Sequence, residues 1–337
     1  MPADAKRRVR RAFGLALASA PAAFFLPSRA ASQAPARTAR LGYLDSGWPG
    51  AESQALLDSF RRGLRELGYA DGRNLSIEYR WAEGRYERLP ALAKELIDTK
   101  ADLIVAGEAQ AARAAQGATR EVPIVVVAAV DPVGFGLIKS LASPGENVTG
   151  LANLSPELTA KHLELLKETA PAVSRVAVLW NAANPIEVRL WRGRQTAARL
   201  LGLELISIEV RSPEDITRGL ASMMEQNPHA LHLFAEPVLH GRRNEIVTFA
   251  ARHRLPVVSD ASDVTEAGGL MSYGVYMPVL FHRAARFVAR ILKGSHASQL
   301  PVEQPSRFEL VINLRTARDL GLSISPSILV LADRVIE

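Results

Sequence analysis

Asp131 and Glu236 each close an apolar run and each directly precede a proline, in Val130-Asp131-Pro132 and Ala235-Glu236-Pro237. A carboxylate held at such a point can grip an ammonium or a hydroxyl, or act as a base. Neither has a sequence neighbour that would complete a catalytic pair. Small and polar residues occupy comparable places just after other apolar runs: Ser46, Gly47 and Trp48; Gly107, Glu108 and Ala109; Asn181; Asp260; and Tyr273. Their amides and hydroxyls can hydrogen-bond a zwitterion, while Trp48, Trp180 and Tyr273 can supply apolar walls. Singly, each has a plainer role. Gly, Asn and Asp turn chains, and Asp131 can simply cap the segment after it. The set is informative through its shared position.

Motifs for other chemistry do not appear. Gly145-Glu146-Asn147-Val148-Thr149-Gly150 lacks the Lys-Ser/Thr ending of a phosphate loop, and Gly134-Phe135-Gly136 lacks the third glycine of a dinucleotide turn. There is no nucleophile elbow. The seven histidines, at 162, 229, 232, 240, 253, 282 and 296, show no paired ligand spacing, and most are expected on solvated faces. The chain has no cysteine, which rules out disulfides, thiolate metal sites, a Cys nucleophile and a lipidated N-terminal Cys. No catalytic residue, metal or cofactor is expected.

The elements that would position the set alternate along the chain. Arg40–Leu44 reads as a strand, and Leu56, Leu57, Phe60, Leu64 and Leu67 mark a helical face ending at Gly68. Strands are expected at Leu75–Trp81, Leu103–Ala106 and Ile124–Val130, with helices at Leu89–Ile97 and Ala109–Ala118 between them. The pattern restarts at Ser155-Pro156-Glu157, a good helix opening. Strands follow at Val176–Trp180, Leu205–Ile208, Ala230–Phe234 and Val257–Ser259, separated by helices at Val188–Leu201, Ile216–Gln226 and Leu239–His253. Alternation of this kind makes parallel sheets covered on both faces. The last sixty residues offer a strand at Leu270–Tyr273, a helix at Val279–Leu292, a strand at Phe308–Ile312 and a short helix from Pro326. These pieces are too few for a third lobe, so the chain is expected to return to the first lobe and cross again to the second. In open parallel sheets ligands bind beyond the carboxyl ends of the strands, which is where the set lies.

The first forty residues read as an export signal. A cationic segment, Lys6 to Arg11, precedes an uncharged run from Ala12 to Ser28 and the small-residue patch Ala30-Ala31-Ser32-Gln33-Ala34. Arg10-Arg11-Ala12-Phe13 is similar to the twin-arginine export pattern without its flanking polar residues. The whole chain carries 41 Lys+Arg against 35 Asp+Glu, but residues 1–34 hold six of those cations and one acid. The remainder is almost neutral, so the clustered positive field that nucleic-acid binding needs is missing. About 300 residues remain, enough for two ordinary α/β lobes.

Several segments together resemble the substrate-binding proteins of bacterial ABC importers, in the group that includes tryptophan-type components. They are Arg61–Tyr69, Asn74–Gly84, Asp131-Pro132-Val133-Gly134, Pro144–Gly150 and Val176–Asn181. The resemblance implies a type I periplasmic-binding-protein fold: α/β, with two doubly wound parallel-sheet lobes joined by a three-crossing hinge. Lobe 1 would comprise 38–150 and 276–302, and lobe 2 would comprise 151–275 and 303–337. It further implies a monomeric periplasmic receptor that holds an amino acid or aromatic acid between its lobes and delivers it to an ABC permease in the inner membrane. A ligand-sensing domain for a signalling partner, and an exported racemase- or transferase-like enzyme, are the alternatives. One departure concerns the site. Where relatives tend to carry Gly-Thr or Gly-Ser after the third strand, this chain has Gly107-Glu108, a carboxylate in place of a small hydroxyl.

Overall fold

A computed structural model describes residues 38–153, 158–234 and 236–337. The expected export signal and the helix opening at Ser155-Pro156-Glu157 lie outside the described residues.

The first lobe is built from β1 (Ala39–Asp45), α1 (Ala51–Glu66), β2 (Leu75–Trp81), α2 (Leu89–Asp98), β3 (Leu103–Glu108), α3 (Ala109–Ala118), β4 (Ile124–Ala129) and β5 (Val148–Ala152). Its five strands are parallel in the order β2-β1-β3-β4-β5. β3 and β4 are apolar and buried throughout except for the half-buried Glu108, as expected of central strands covered on both faces. β5 was not expected from the sequence, because Pro144-Gly145 and Gly150 read as turn residues. Gly150 adopts φ +135°, and a Cβ there would stand 2.0 Å from the Val126 carbonyl oxygen. The glycine thus lets two backbones approach where the β4–β5 register shifts.

The second lobe continues with α4 (Leu158–Thr169), β6 (Arg175–Asn181), α5 (Pro185–Leu200), β7 (Glu204–Val210), α6 (Ile216–Glu225), β8 (Ala230–Leu233), α7 (Pro237–His240), α8 (Arg243–Arg252), β9 (Val257–Ser259), α9 (Ser262–Glu266) and β10 (Met271–Gly274). The chain then returns. α10 (Met277–Leu292) packs on α1, where Leu280, Phe281, Ala284 and Val288 share a core with Leu57, Phe60 and Leu64. Gly63 permits this approach: a Cβ there would lie 2.5 Å from the His282 carbonyl oxygen. The last crossing leads to β11 (Glu309–Asn313), α11 (Leu314–Leu320), α12 (Pro326–Leu331) and β12 (Arg334–Ile336). The second sheet runs β12-β11-β10-β9-β8-β6-β7.

Two features differ from the expectation. β11 runs antiparallel to β10, so the second sheet is mixed. The reason is that β11 enters from the other lobe instead of through a crossover helix. The helix expected over Leu239–His253 is two helices, α7 and α8. The carboxylate of Glu236 caps the first by accepting from the amides of Val238 and Leu239.

Candidate functional site

β1, β3, β6 and β8 all end toward a cavity of about 530 Å³ between the lobes. Of the residues singled out in the sequence, Gly47, Trp48, Gly107, Glu108, Ala109, Glu236 and Asp260 line it. Ser46, Asp131, Asn181 and Tyr273 do not. Ser46 is fully buried, and its amide donates to Glu108 Oε1 at 3.2 Å. Asn181 is also fully buried and donates through Nδ2 to Glu236 Oε1 at 2.9 Å, so it orients a wall residue. Tyr273 gives only its carbonyl to the region, accepting from His162 Nε2 at 2.5 Å. Asp131 turns away from the cavity. It accepts from the Gly134 amide and pairs with Arg189 of α5 at 3.3 Å, an ion pair that joins the lobes. The walls also differ from expectation. Trp180 stacks on Trp191 with ring centroids 5.2 Å apart and stays in the second lobe. Trp48, Trp81, Tyr43, Tyr86 and Phe234 provide the aromatic surface.

Apolar contacts cross the cleft in both directions. Trp48, from the first lobe, packs on the cluster of Val238 and Leu239 in the second. Ile186 and Leu190 of α5 pack on the first-lobe cluster that includes Ala109 and Ala112. Polar contacts join the same edges. Gln110 at the start of α3 donates to Asn184 Oδ1 at 2.6 Å, and Asn184 caps α5 through the Ile186 amide. Tyr86 donates to Glu236 Oε1 at 2.5 Å.

The cavity wall is rich in carboxylates. Asp45 ends β1 and Glu108 ends β3, and these two strands are neighbours. Asp45 accepts from the Tyr43 hydroxyl and the Gly47 amide, both at 2.7 Å. Burial pushes its carboxyl up, with the hydrogen bonds from Tyr43 and Gly47 pulling back. Burial and then the charge of Asp45 hold Glu108 well above the usual carboxylate range. The two carboxyls stand side by side and half-buried, so each makes ionisation of the other harder. Glu236 is pushed up to about 7 by burial, against the hydrogen bonds from Tyr86 and Asn181.

The cations of the wall are already matched. Arg194 and Glu187 form a buried bidentate pair on α5, at 2.5 and 3.2 Å, with the guanidinium 3.6 Å from the Phe234 ring centroid. At the rim Arg243 pairs with Glu52 and, at 3.4 Å, with Asp263, while His240 reaches Asp263 at 2.9 Å and Glu52 at 3.3 Å. Burial pulls His240 down, but the hydrogen bond and charge of Asp263 outweigh it and raise it. Glu52, His240 and Asp263 have the spacing of a metal group. Arg243 supplies positive charge there instead, and the raised His240 is drawn toward its charged form.

Two histidines are buried, contrary to the expectation of solvated faces. His162 Nδ1 lies 3.1 Å from His232 Nε2. Because His162 Nε2 donates to the Tyr273 carbonyl, its Nδ1 accepts from His232. Burial lowers His162 to about 4 and His232 well below the ordinary range, so both are neutral.

The sequence points to Asp45 within the strand-end stretch Asp45–Trp48 without placing it among the expected contacts, and it misses Tyr86 and Arg194. Asp45 is the last residue of β1 and Tyr86 lies shortly beyond β2, on the same side as the expected set, so the strand-end rule covers both. Arg194 sits in the middle of an amphipathic helix, where a cation signals nothing.

A family model for ABC transporter substrate binding proteins matches residues 51–336. A tyrosine-binding protein of Clostridioides difficile is 25% identical over 264 residues, 78% of this chain and 75% of that protein. An ABC domain in complex with L-Trp from Streptococcus pneumoniae superposes with a TM-score of 0.82 at 26% identity, over 89% of this chain and 100% of the other. A conserved domain protein from Vibrio cholerae gives a TM-score of 0.83 at 28% identity, over the same shares.

Proposed function

Since the chain belongs to the family of ABC transporter substrate-binding proteins, we propose that it is the extracytoplasmic receptor of an importer and that its cleft takes an aromatic amino acid. The fold is that of type I periplasmic binding proteins, and the family is one of binding proteins, not enzymes. The observation that carries the ligand class is the interlobe cavity, with Trp48, Trp81 and Phe234 for an aromatic ring and Asp45, Glu108 and Arg194 for charged groups. Relatives named for tyrosine and for an L-Trp complex support the same class. The two bodies that open and close follow the expected division, 38–150 with 276–302 and 151–275 with 303–337, except that β5 carries the first body on to Ala152. The packing of α10 on α1 supports this division. Contacts to both bodies at once favour the closed form, which a membrane permease would read. The leader-like segment before Ala34 supports a location outside the cytoplasm.

Thermal-shift titration with the twenty amino acids, glucose and benzoate tests the class. A ligand that binds only the folded protein raises its midpoint by mass action. L-Tyr, L-Trp or L-Phe should give the largest rise. A larger rise with glucose, or with an aliphatic amino acid, overturns the aromatic assignment.

A further inference from the structure

We propose that the cleft grips its solute by the amine, seated on the Asp45–Glu108 carboxylate pair, with the carboxylate end turned toward Arg194. This inference rests on the proposed amino-acid ligand and narrows it: aromatic acids without an amine are excluded.

The charge inventory of the wall is the first ground. Every cation that lines the cavity has its counter-ion. Arg194 is matched by Glu187, and Arg243 and His240 by Glu52 and Asp263. His162 is neutral. Asp45 and Glu108 have no cation among the described residues: their partners are the Tyr43 hydroxyl and the amides of Gly47, Ser46 and Ala111. A carboxylate partly withdrawn from water without a counter-ion is costly. A solute that brings an ammonium relieves that cost and has three donors to share between two acceptor groups.

The placement is the second ground. A ligand carboxylate would ordinarily be drawn to the free amides at the start of a helix such as α3. Here the N-cap residue of α3 is Glu108, whose carboxyl interacts with the Ala111 amide of the first turn, so a negative group already stands near that helix start. The first lobe therefore repels an acid and attracts an amine. Asp45 is pressed against the next strand end, since a Cβ on Gly107 would meet its Oδ2 at 2.0 Å.

The third ground comes independently from the second lobe. Arg194 lines the cavity and is 5% exposed, and its Nε has no acceptor among the described residues. A buried donor of this kind calls for an acceptor. The α-carboxylate of an amino acid whose amine rests on the first lobe meets that need. An entering ammonium favours the ionised form of both carboxyls, so a proton held between Asp45 and Glu108 is released to solvent as it binds.

The test is calorimetry on the full chain at pH 7, in phosphate and in Tris. The probes are L-tryptophan, tryptamine and indole-3-propionate, with L-leucine and 4-methylpentanoate run alongside. L-Tryptophan should bind tightest, tryptamine within about tenfold of it, and indole-3-propionate at least ~100-fold weaker. The difference between buffers should report net proton release on binding L-tryptophan. Glu108→Gln, which keeps the side chain's shape, should weaken L-tryptophan at least ~30-fold and abolish the release. Indole-3-propionate binding as tightly as L-tryptophan overturns the proposal, as does an unchanged affinity in Glu108→Gln. If L-leucine binds, while 4-methylpentanoate and the indoles do not, the amine seat stands and the aromatic reading falls.

Discussion

Tyr86 of the first lobe donates its hydroxyl to Glu236 of the second at 2.5 Å, and that same carboxylate oxygen accepts from Asn181 at 2.9 Å. The other oxygen caps α7 through the Val238 and Leu239 amides. One buried carboxylate therefore fixes the local structure of its own lobe and holds the facing lobe. Removing the hydroxyl separates these roles, since Asn181 and the amides remain. Tyr86→Phe should keep the fold, weaken ligand about tenfold, and shift the population toward a more open form, as expected for a lost hydrogen bond to a carboxylate. Small-angle scattering and calorimetry check it. Unchanged affinity together with unchanged dimensions would show that this bond does not hold the cleft.

Glu236 also sets a pH dependence. Its carboxyl moves from 4.5 unfolded to about 7 folded. Between those values the folded protein keeps a proton that the unfolded chain has shed. Its contribution is full below pH 4.5 and drains away as pH rises through 7. His162 works in the opposite sense, because burial takes it from 6.5 to about 4. The folded chain is then neutral where the unfolded chain is charged, so stability from His162 is lost as pH falls from 6.5 to 4. In the intact protein the two slopes oppose each other. Glu236→Gln removes the first and leaves every other group as it was, so its unfolding free energy should climb by about 2 kcal/mol from pH 4.5 to 6.5 relative to the parent's change. Urea denaturation at three pH values measures this. Parallel profiles for variant and parent would remove Glu236 as the titrating group.

The sheets and the rim of the cleft were legible in the sequence because strands alternate with amphipathic helices, and the strand-end rule then points at one edge. What stayed hidden has physical causes. β5 carries Gly150, whose role is a close backbone approach that no local pattern records. β11 reads as a strand, but its direction depends on a crossing from the other lobe. Asp131 and Glu236 look alike in sequence, each being a carboxylate before proline. The structure separates them by the partner each meets across the cleft: Arg189 for one, Tyr86 for the other. His162 and His232 are seventy residues apart, so their pairing is invisible without the fold.

Asp131 thus acts on closure through Arg189 and does not face the cavity. The pair is partly exposed, with the Arg189 side chain at 54%, so it contributes on the order of 0–1 kcal/mol. Asp131→Ala and Arg189→Ala should each weaken ligand less than about fivefold, with the double variant no worse than either single one. A loss of tenfold or more confined to Asp131→Ala would restore a direct ligand contact.

Two glycines give the sharpest separation of fold from site. At Gly150 a side chain meets backbone, the Val126 oxygen at 2.0 Å, and φ is +135°, a conformation that L-residues rarely adopt. Neither strand can yield without breaking the β4–β5 pairing. Gly150→Ala should therefore lose several kcal/mol of stability, on the scale of backbone strain combined with overpacking. At Gly107 the obstacle is the end of a side chain, Asp45 Oδ2, also at 2.0 Å. The backbone there carries no left-handed strain, so Gly107→Ala should fold with a modestly lowered melting temperature. Its added methyl displaces the Asp45 carboxylate from beside Glu108, and L-tryptophan affinity should fall at least ~30-fold, the loss expected of an unpaired charged contact. Thermal melts and calorimetry on the two variants decide the matter. A Gly107→Ala protein that melts normally and binds normally would mean that the position of Asp45 is irrelevant to the ligand.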